Sequence, residues 1–534
     1  MTLDFISNTT NIDIFIASIP IIVLTLGIVV LKWNAAKAGA ISLLLVIIIA
    51  LFRFESTETN IVIAGSKGIS LSIFVLSVIW SSVLMYNILE FLGLIEVIGN
   101  NITKLVKNPL AQALVVGWGF GGLIQGVSGF GVPVAVVAPL MILMGFSAPR
   151  AAAIALIGHC WATTFGSLGS SFYTLQLVTD LPTEEIGTHM AALFALPIFM
   201  CGFAVAHIQG GLKSVIRGIP AILIIGTVMT FGQWISAYLN VPQIGGLVAG
   251  LSGTLTGWIL TLTPILNFEQ IQSDSIPDNS HKSNSLNTRK LKNISFHIAF
   301  LPYYLILIIS LLSQIPLIKS IPIQFGLDYP TNITGLGYIV KAEQDYAGIK
   351  LFSHPAPIIL FATFITYLVY KTKNMWSKDI GINALKRTYS QCVPSSLGLI
   401  TMVMMSLIMI DSGMTSLLGH SIAKTTSFLF PIFSPFIGVL GTFLTGSNTN
   451  SNVMFGALQL QTAKTLELGV YTIASSQSIG GAIGGAIAPA KVLVGTTIVG
   501  LGGQEHKVLK KSLPYCMIIL VAVGIQALII SLLE

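Results

Sequence analysis

Of the 534 residues, 54% are hydrophobic and 9% are charged, where an ordinary soluble domain carries about 25% charged residues. With a mean hydropathy of +0.86, too few charges remain to cover a soluble protein of this length, so much of the surface faces lipid. The net charge of +7 is spread through short loops, with no basic cluster and interleaved aromatics, which argues against nucleic acid as a partner.

In chain order, uncharged runs near the ~20-residue length of a membrane-spanning helix recur. They cover residues 14–31, 69–89, 190–212, 388–410 and 512–533. Longer runs, 108–149, 218–268 and 425–463, each have room for two crossings, or for one crossing and a re-entrant piece. Dividing these runs by the crossing length predicts an all-α polytopic membrane protein of about 12–14 transmembrane helices. The short alternating segments of a β-barrel are not seen. The first run lacks a basic segment before it and is followed directly by others, so a cleavable signal peptide is not expected. Cys160, Cys201, Cys392 and Cys516 lie within or beside apolar runs and form no CxxC pair. They are expected to be buried, unreactive thiols rather than a disulfide framework or a metal site.

Lys and Arg in short loops mark the cytoplasmic side. Lys32 and Lys37 follow the first span, and Lys104 and Lys107 the third. Lys282, Arg289, Lys290 and Lys292 lie in a polar segment. Lys371, Lys373, Lys378, Lys386 and Arg387 cluster later, and Lys507, Lys510 and Lys511 precede the last span. One threading fits them all: N-terminus and C-terminus outside, basic loops inside. Residues 319–353 then form an outer loop, whose alternating polar and apolar residues predict some ordered structure.

The Ser/Asn/Asp-rich segment 269–292 reads as a cytoplasmic linker. It divides an N-terminal transmembrane half, 1–268, from a C-terminal half, 293–534. The halves share a feature. Residues 117–133 read GWGFGGLIQGVSGFGVP, and 441–452 read GTFLTGSNTNSN. Superposing Gly121 on Gly441 also places Gly126 on Gly446. Each segment is followed by a second small-residue stretch, 165–171 (FGSLGSS) and 480–489 (GGAIGGAIAP). Non-helical backbone at membrane depth survives only where protein buries it or a water-filled cavity meets it. Interrupted apolar segments at matching places in two halves point to a transporter site. Where a helix breaks, its N-terminal end offers free N–H groups and partial positive charge to an anion. Gly126, Ser128, Gly129 and Gly131 in the first segment, and Ser447, Asn448, Thr449, Asn450, Ser451 and Asn452 in the second, are the expected substrate-binding residues. Close helix packing is the plainer reading of the small-xxx-small spacings Gly122/Gly126, Gly480/Gly484 and Gly481/Gly485. Packing does not account for six consecutive polar residues in an uncharged run. The GxGxxG at Gly117, Gly119 and Gly122 is not a dinucleotide fingerprint, because it sits inside an apolar run that continues uncharged to Pro149.

At these residues the chain resembles the lactate permease family of secondary transporters. The matching pieces are 126–133 (GVSGFGVP), 165–169 (FGSLG), 412–414 (SGM), 441–446 (GTFLTG) with Ser451 and Asn452, and 480–511. They follow in order along nearly the whole chain. The resemblance implies uptake of lactate, glycolate and related 2-hydroxy monocarboxylates across a prokaryotic cell membrane, usually driven by a proton, with no cofactor. Three positions depart from the family. Gln125 stands where it usually has Glu, Asn448 where it usually has Asp, and His159 where it often has Asn. An amide hydrogen-bonds a substrate but carries no proton at ordinary pH.

Ionisable residues inside spans are functional candidates by default. Asp411, beside the SGM piece, is a candidate for the coupling ion; the plainer reading is an acid at an outer helix end. His159, mid-span, is the second coupling candidate, against a hydrogen-bonded structural histidine. Lys491 is expected to meet a substrate carboxylate or to pair with Asp411, against a snorkelling lysine. Glu90 and Glu96 read as interfacial, and His189 and His207 as structural. The sequence therefore predicts a secondary carrier, whose proton coupling is what the resemblance implies, with sodium coupling and uniport left open. An anion channel would need a continuous selective pore. A membrane enzyme would need a catalytic cluster, and no nucleophile motif accompanies these residues. A homo-oligomer is compatible with the sequence.

Overall fold

The structure is a computed structural model. It describes residues 10–31, 33–104, 106–129, 131–266, 294–313, 315–319, 321–333, 339–340, 342–352, 354–501 and 504–534. The linker expected at 269–292, with its four basic residues, and Lys32 lie outside the described residues.

Among the described residues, eleven helical segments are long and apolar enough to cross a membrane. Two shorter apolar helices accompany them, so the all-α polytopic expectation holds. Polar side chains start several helices by satisfying their first free N–H groups. Asn34 caps α2 (Ala35–Phe52), which follows α1 (Asn11–Val29). Thr57 caps α3 (Glu58–Phe91). After α4 (Leu94–Lys104), Asn108 and Pro109 start α5 (Pro109–Val127), which is π-helical from Ala113 to Phe120.

The next elements are shorter than a crossing: α6 (Val132–Leu143), α7 (Ala148–Cys160) and α8 (Ser170–Thr179). Then come α9 (Thr183–Leu193), α10 (Ala195–Tyr238), interrupted at Gly210 and Gly211, and α11 (Gly245–Thr261). After the undescribed segment, α12 (Leu301–Leu312) leads to the loop 319–353. That loop holds the ordered structure its alternation predicted. Strand β1 (Gln324–Tyr329) pairs antiparallel with β4 (Glu343–Lys350), and β2 (Asn332–Ile333) with β3 (Ile339–Val340). The hairpin sits on the first turns of α3: Asn60 donates to the Ile333 carbonyl at 3.2 Å, and Ser70 bonds the Tyr329 hydroxyl at 2.9 Å.

The chain continues as α13 (Pro355–Thr372), α14 (Lys378–Asp411), α15 (Met414–Thr426), α16 (Phe430–Thr445) and α17 (Asn448–Thr465). It ends with α18 (Val470–Gly484), α19 (Pro489–Ile498) and α20 (Glu505–Ser531). Two large hydrophobic cores organise these helices, beside a small one at Phe430, Ala463 and Ile473. One gathers α2, α3, α14 and α15; the other gathers α5, α7, α10 and α20. Small residues bring the helices of the site together, as the packing reading expected. A methyl on Gly480 would lie 1.9 Å from the Pro435 carbonyl oxygen, and one on Gly438 2.1 Å from that of Gln477, so α16 and α18 touch backbone to backbone.

Candidate functional site

Four helices break at one level. α5 ends at Val127; Ser128 is extended and Gly131 left-handed at φ +84° before α6. α16 ends at Thr445; Gly446 is left-handed at φ +73° and Ser447 extended before α17. α7 gives way to a non-helical stretch closed by Gly169 at φ +79°, where α8 begins. α18 ends at Gly484, and α19 restarts at Pro489.

The breaks touch in a ring. A Cβ on Gly129 would lie 2.3 Å from Ser167 Oγ, joining the first break to the one before α8. Asn448 donates from Nδ2 to Thr164 Oγ1 at 3.0 Å, joining that break to the start of α17. Gly446 approaches Ala490 of α19, 3.3 Å from a Cβ built on the glycine, and Gly131 approaches Val494 at 3.5 Å. The N-terminal ends of α6, α8, α17 and α19 therefore gather in one place. Each presents free backbone N–H groups and the positive end of its dipole.

The sequence-predicted residues sort themselves around this ring. Asn452 donates to the Ser171 carbonyl and to Ser478 Oγ, both at 3.0 Å, and Thr449 shares a 2.9 Å hydrogen bond with Ser171. Ser447 caps α17 by accepting from the Asn450 backbone N–H at 3.4 Å. Asn450 itself is buried. Gln125 and Ser128 are buried, and Gln125 Oε1, Ser128 Oγ, Asn448 Oδ1 and Asn452 Oδ1 have no hydrogen-bond partner among the described residues. Buried polar atoms are rarely left so, and these four lie at the breaks.

Two predicted residues do other work. Ser451 turns away, donating to the Gly438 carbonyl at 2.7 Å and accepting from Gln477 at 3.0 Å, so it ties α17 to α16 and α18. Gly126 is a packing glycine, since a Cβ there would lie 2.4 Å from the Leu247 backbone nitrogen.

Lys491 is buried near the start of α19, its Nζ 2.8 Å from a Cβ built on Gly485. No carboxylate lies within ion-pair distance of it among the described residues. It is close enough to His159 for the two to interact electrostatically. His159 Nδ1 lies 2.6 Å from the Ala155 carbonyl. A carbonyl only accepts, so Nδ1 carries the proton, and a neutral ring then offers its Nε2 lone pair. That buried Nε2 has no partner among the described residues.

Asp411 is not in the ring, and its partner is not Lys491. It pairs with Lys67 of α3 at 3.5 Å. Reading the sequence as uncharged runs missed Lys67, which lies just outside the run starting at residue 69. It also missed Thr164 and Ser478, although the polar run Ser475–Ser476–Gln477–Ser478 inside an apolar helix was a visible signal.

The chain is 26% identical to an L-lactate permease of Streptococcus iniae over 87% of its length and 94% of that protein. It is 25% identical to an L-lactate permease of Halalkalibacterium halodurans over 98% and 97%. It is 24% identical to the glycolate permease GlcA of Escherichia coli K12 over 97% and 96%. Among solved structures, it is similar to the Alcanivorax borkumensis YdaH transporter, at 12% identity over 85% of this chain and 84% of that one, with a TM-score of 0.43. Residues 13–534 match the description L-lactate permease, and with nearly the whole chain matched, this multi-pass membrane protein belongs to the L-lactate permease family.

Proposed function

We propose that this chain carries a small 2-hydroxy monocarboxylate, lactate or glycolate, across the cell membrane in symport with a proton. The observation that carries the reading is the gathering of four half-helix N-termini around buried, unpartnered polar atoms, with Lys491 beside them. Helix N-termini and one ammonium suit a carboxylate. The Nε2 lone pair of His159 suits the donor that lactate and glycolate share, their 2-hydroxyl. Gln125, Ser128, Asn448 and Asn452 supply amide and hydroxyl groups that fix orientation. The curated relatives are described as permeases for these two acids.

The repeated order of breaks supports two related halves, 1–268 and 293–534, joined at 269–292. The positive-inside rule supports placing the basic loops in the cytoplasm and both termini outside.

The test is uptake of labelled lactate and glycolate into proteoliposomes, with and without pH and sodium gradients. Saturable uptake driven by an inward pH gradient is expected. No uptake of either acid would overturn the reading. Uptake driven by sodium alone would instead favour a cation held by the unpartnered oxygens of Asn448 and Asn452.

A further inference from the structure

The ring of breaks holds no carboxylate among the described residues, and the reading above gives the His159 Nε2 lone pair to the substrate hydroxyl, so the coupling proton needs another place. A second polar cluster lies where α3, α14 and the outer hairpin meet. Lys67 is 2% exposed. Its Nζ lies 3.0 Å from Glu343 Oε1 on β4 and 3.5 Å from Asp411 Oδ2 at the end of α14. The rings of Tyr329 and Tyr346 stand over it, each 5.8 Å away. Lys67, Glu343, Asp411 and Tyr346 border a cavity of about 230 Å³, whose other charged neighbours are Asp180, just after α8, and Lys464 on α17.

The charges around Lys67 do not balance. One ammonium faces two carboxylates, and two like charges sharing one partner favour a proton on one of them. Asp411 is the more buried of the two: its side chain is 8% exposed, that of Glu343 37%. It also sits at a helix C-terminus, where the dipole opposes negative charge. Its Oδ2 is too far from Lys67 for a good hydrogen bond and has no hydrogen-bond partner. Tyr346, on the hairpin, stays a neutral phenol, because burial and then the Glu343 and Asp411 carboxylates push its hydroxyl well up. Glu343 gives water access to the cluster.

We propose that Asp411 binds the coupling proton and that Lys67 then pairs with Glu343 alone. This rests on the symport reading above. One proton from outside water converts the Asp411 carboxylate to a carboxyl. Lys67 is then left to Glu343 alone, which holds the hairpin down on α3. The proton returns to water on the other side as the substrate leaves. The link to the substrate is built into two helices. α8 and α17 begin at the ring and pass the cavity with Val178, Thr179, Leu460 and Gln461. The ten residues of α8 span about 15 Å at 1.5 Å per residue. An anion at the N-terminal ends and a proton at the far ends add no net charge to the loaded carrier.

The test uses the full-length protein in proteoliposomes with labelled lactate. Two variants are compared with the parent: Asp411→Asn, which mimics the protonated carboxyl, and Asp411→Asn with Lys67→Met, which removes both charges of the Lys67–Asp411 pair together. Exchange of labelled for unlabelled lactate at equal pH is read beside accumulation under an inward pH gradient, and a trapped pH dye follows proton entry. At least one variant is expected to keep exchange, while its internal lactate no longer exceeds the external level and lactate no longer draws protons inward. Gradient-driven accumulation in an exchanging variant overturns the proposal. Loss of exchange in both variants also overturns it, by tying Asp411 to binding or folding. A parent that exchanges neither lactate nor glycolate overturns the substrate reading beneath it.

Discussion

Lys491 and His159 make different demands on a ligand at the ring of breaks. A buried ammonium without a carboxylate partner is costly, and an arriving carboxylate offsets that cost. Met keeps much of the length of Lys and removes the charge. A charge-assisted hydrogen bond contributes about 1.5–3 kcal/mol, so Lys491→Met is expected to raise half-saturating lactate about 10–100-fold. Initial uptake rates against concentration measure this, and an unchanged half-saturation would remove Lys491 from the site. His159 tests specificity. If its free Nε2 receives the substrate hydroxyl, His159→Leu lowers the preference for lactate over propionate by about tenfold. His159→Asn keeps an acceptor and preserves the preference. Competition between the two acids reads the ratio, and equal loss in both variants would assign His159 to packing.

A helix that starts inside a membrane must have its first N–H groups satisfied. α17 uses the Ser447 hydroxyl for one of them. Ser447→Ala costs about 1 kcal/mol and should lower the melting temperature modestly, with little loss of uptake. Gly446→Ala is expected to do more. It places a Cβ in a left-handed turn at φ +73° and 3.3 Å from Ala490, pushing α19 off the ring. Thermal melting beside initial uptake separates the two, and uptake lost equally in both would mean that the turn itself is unimportant. The breaks were legible in the sequence because a string of polar residues, unlike glycines that serve close packing, has little other purpose in an apolar run. Their mutual contacts were not: Asn448 meets Thr164 from 284 residues away. Ser451 looked like its neighbours in a polar string, yet helical periodicity turns it onto α16. Lys67 was hidden because a run is defined by the charges it leaves out, and its partners come from a hairpin and a helix end far along the chain.

For the whole molecule, the breaks pair in a pattern. α6 lies beside α19, and α8 beside α17, so the first broken helix of each half meets the second broken helix of the other. The proposed division into two related halves accounts for this crossed pairing as an inverted repeat. Its orientation in the membrane is testable through α13. Its 18 residues span about 27 Å, close to the apolar thickness of a bilayer. The hairpin before it and the basic loop after it therefore lie on opposite faces. Asp345 on the hairpin and Lys373 after α13 are both exposed, and the four native cysteines are all buried, so a new surface thiol stands out. In intact cells, a membrane-impermeant maleimide is expected to label Asp345→Cys at once, and Lys373→Cys only after the membrane is opened. The reverse pattern would place Lys371, Lys373 and Lys378 outside, against the charge rule that set the threading. It would also turn the Asp411 cluster toward the cytoplasm, where an inward pH gradient does not load it.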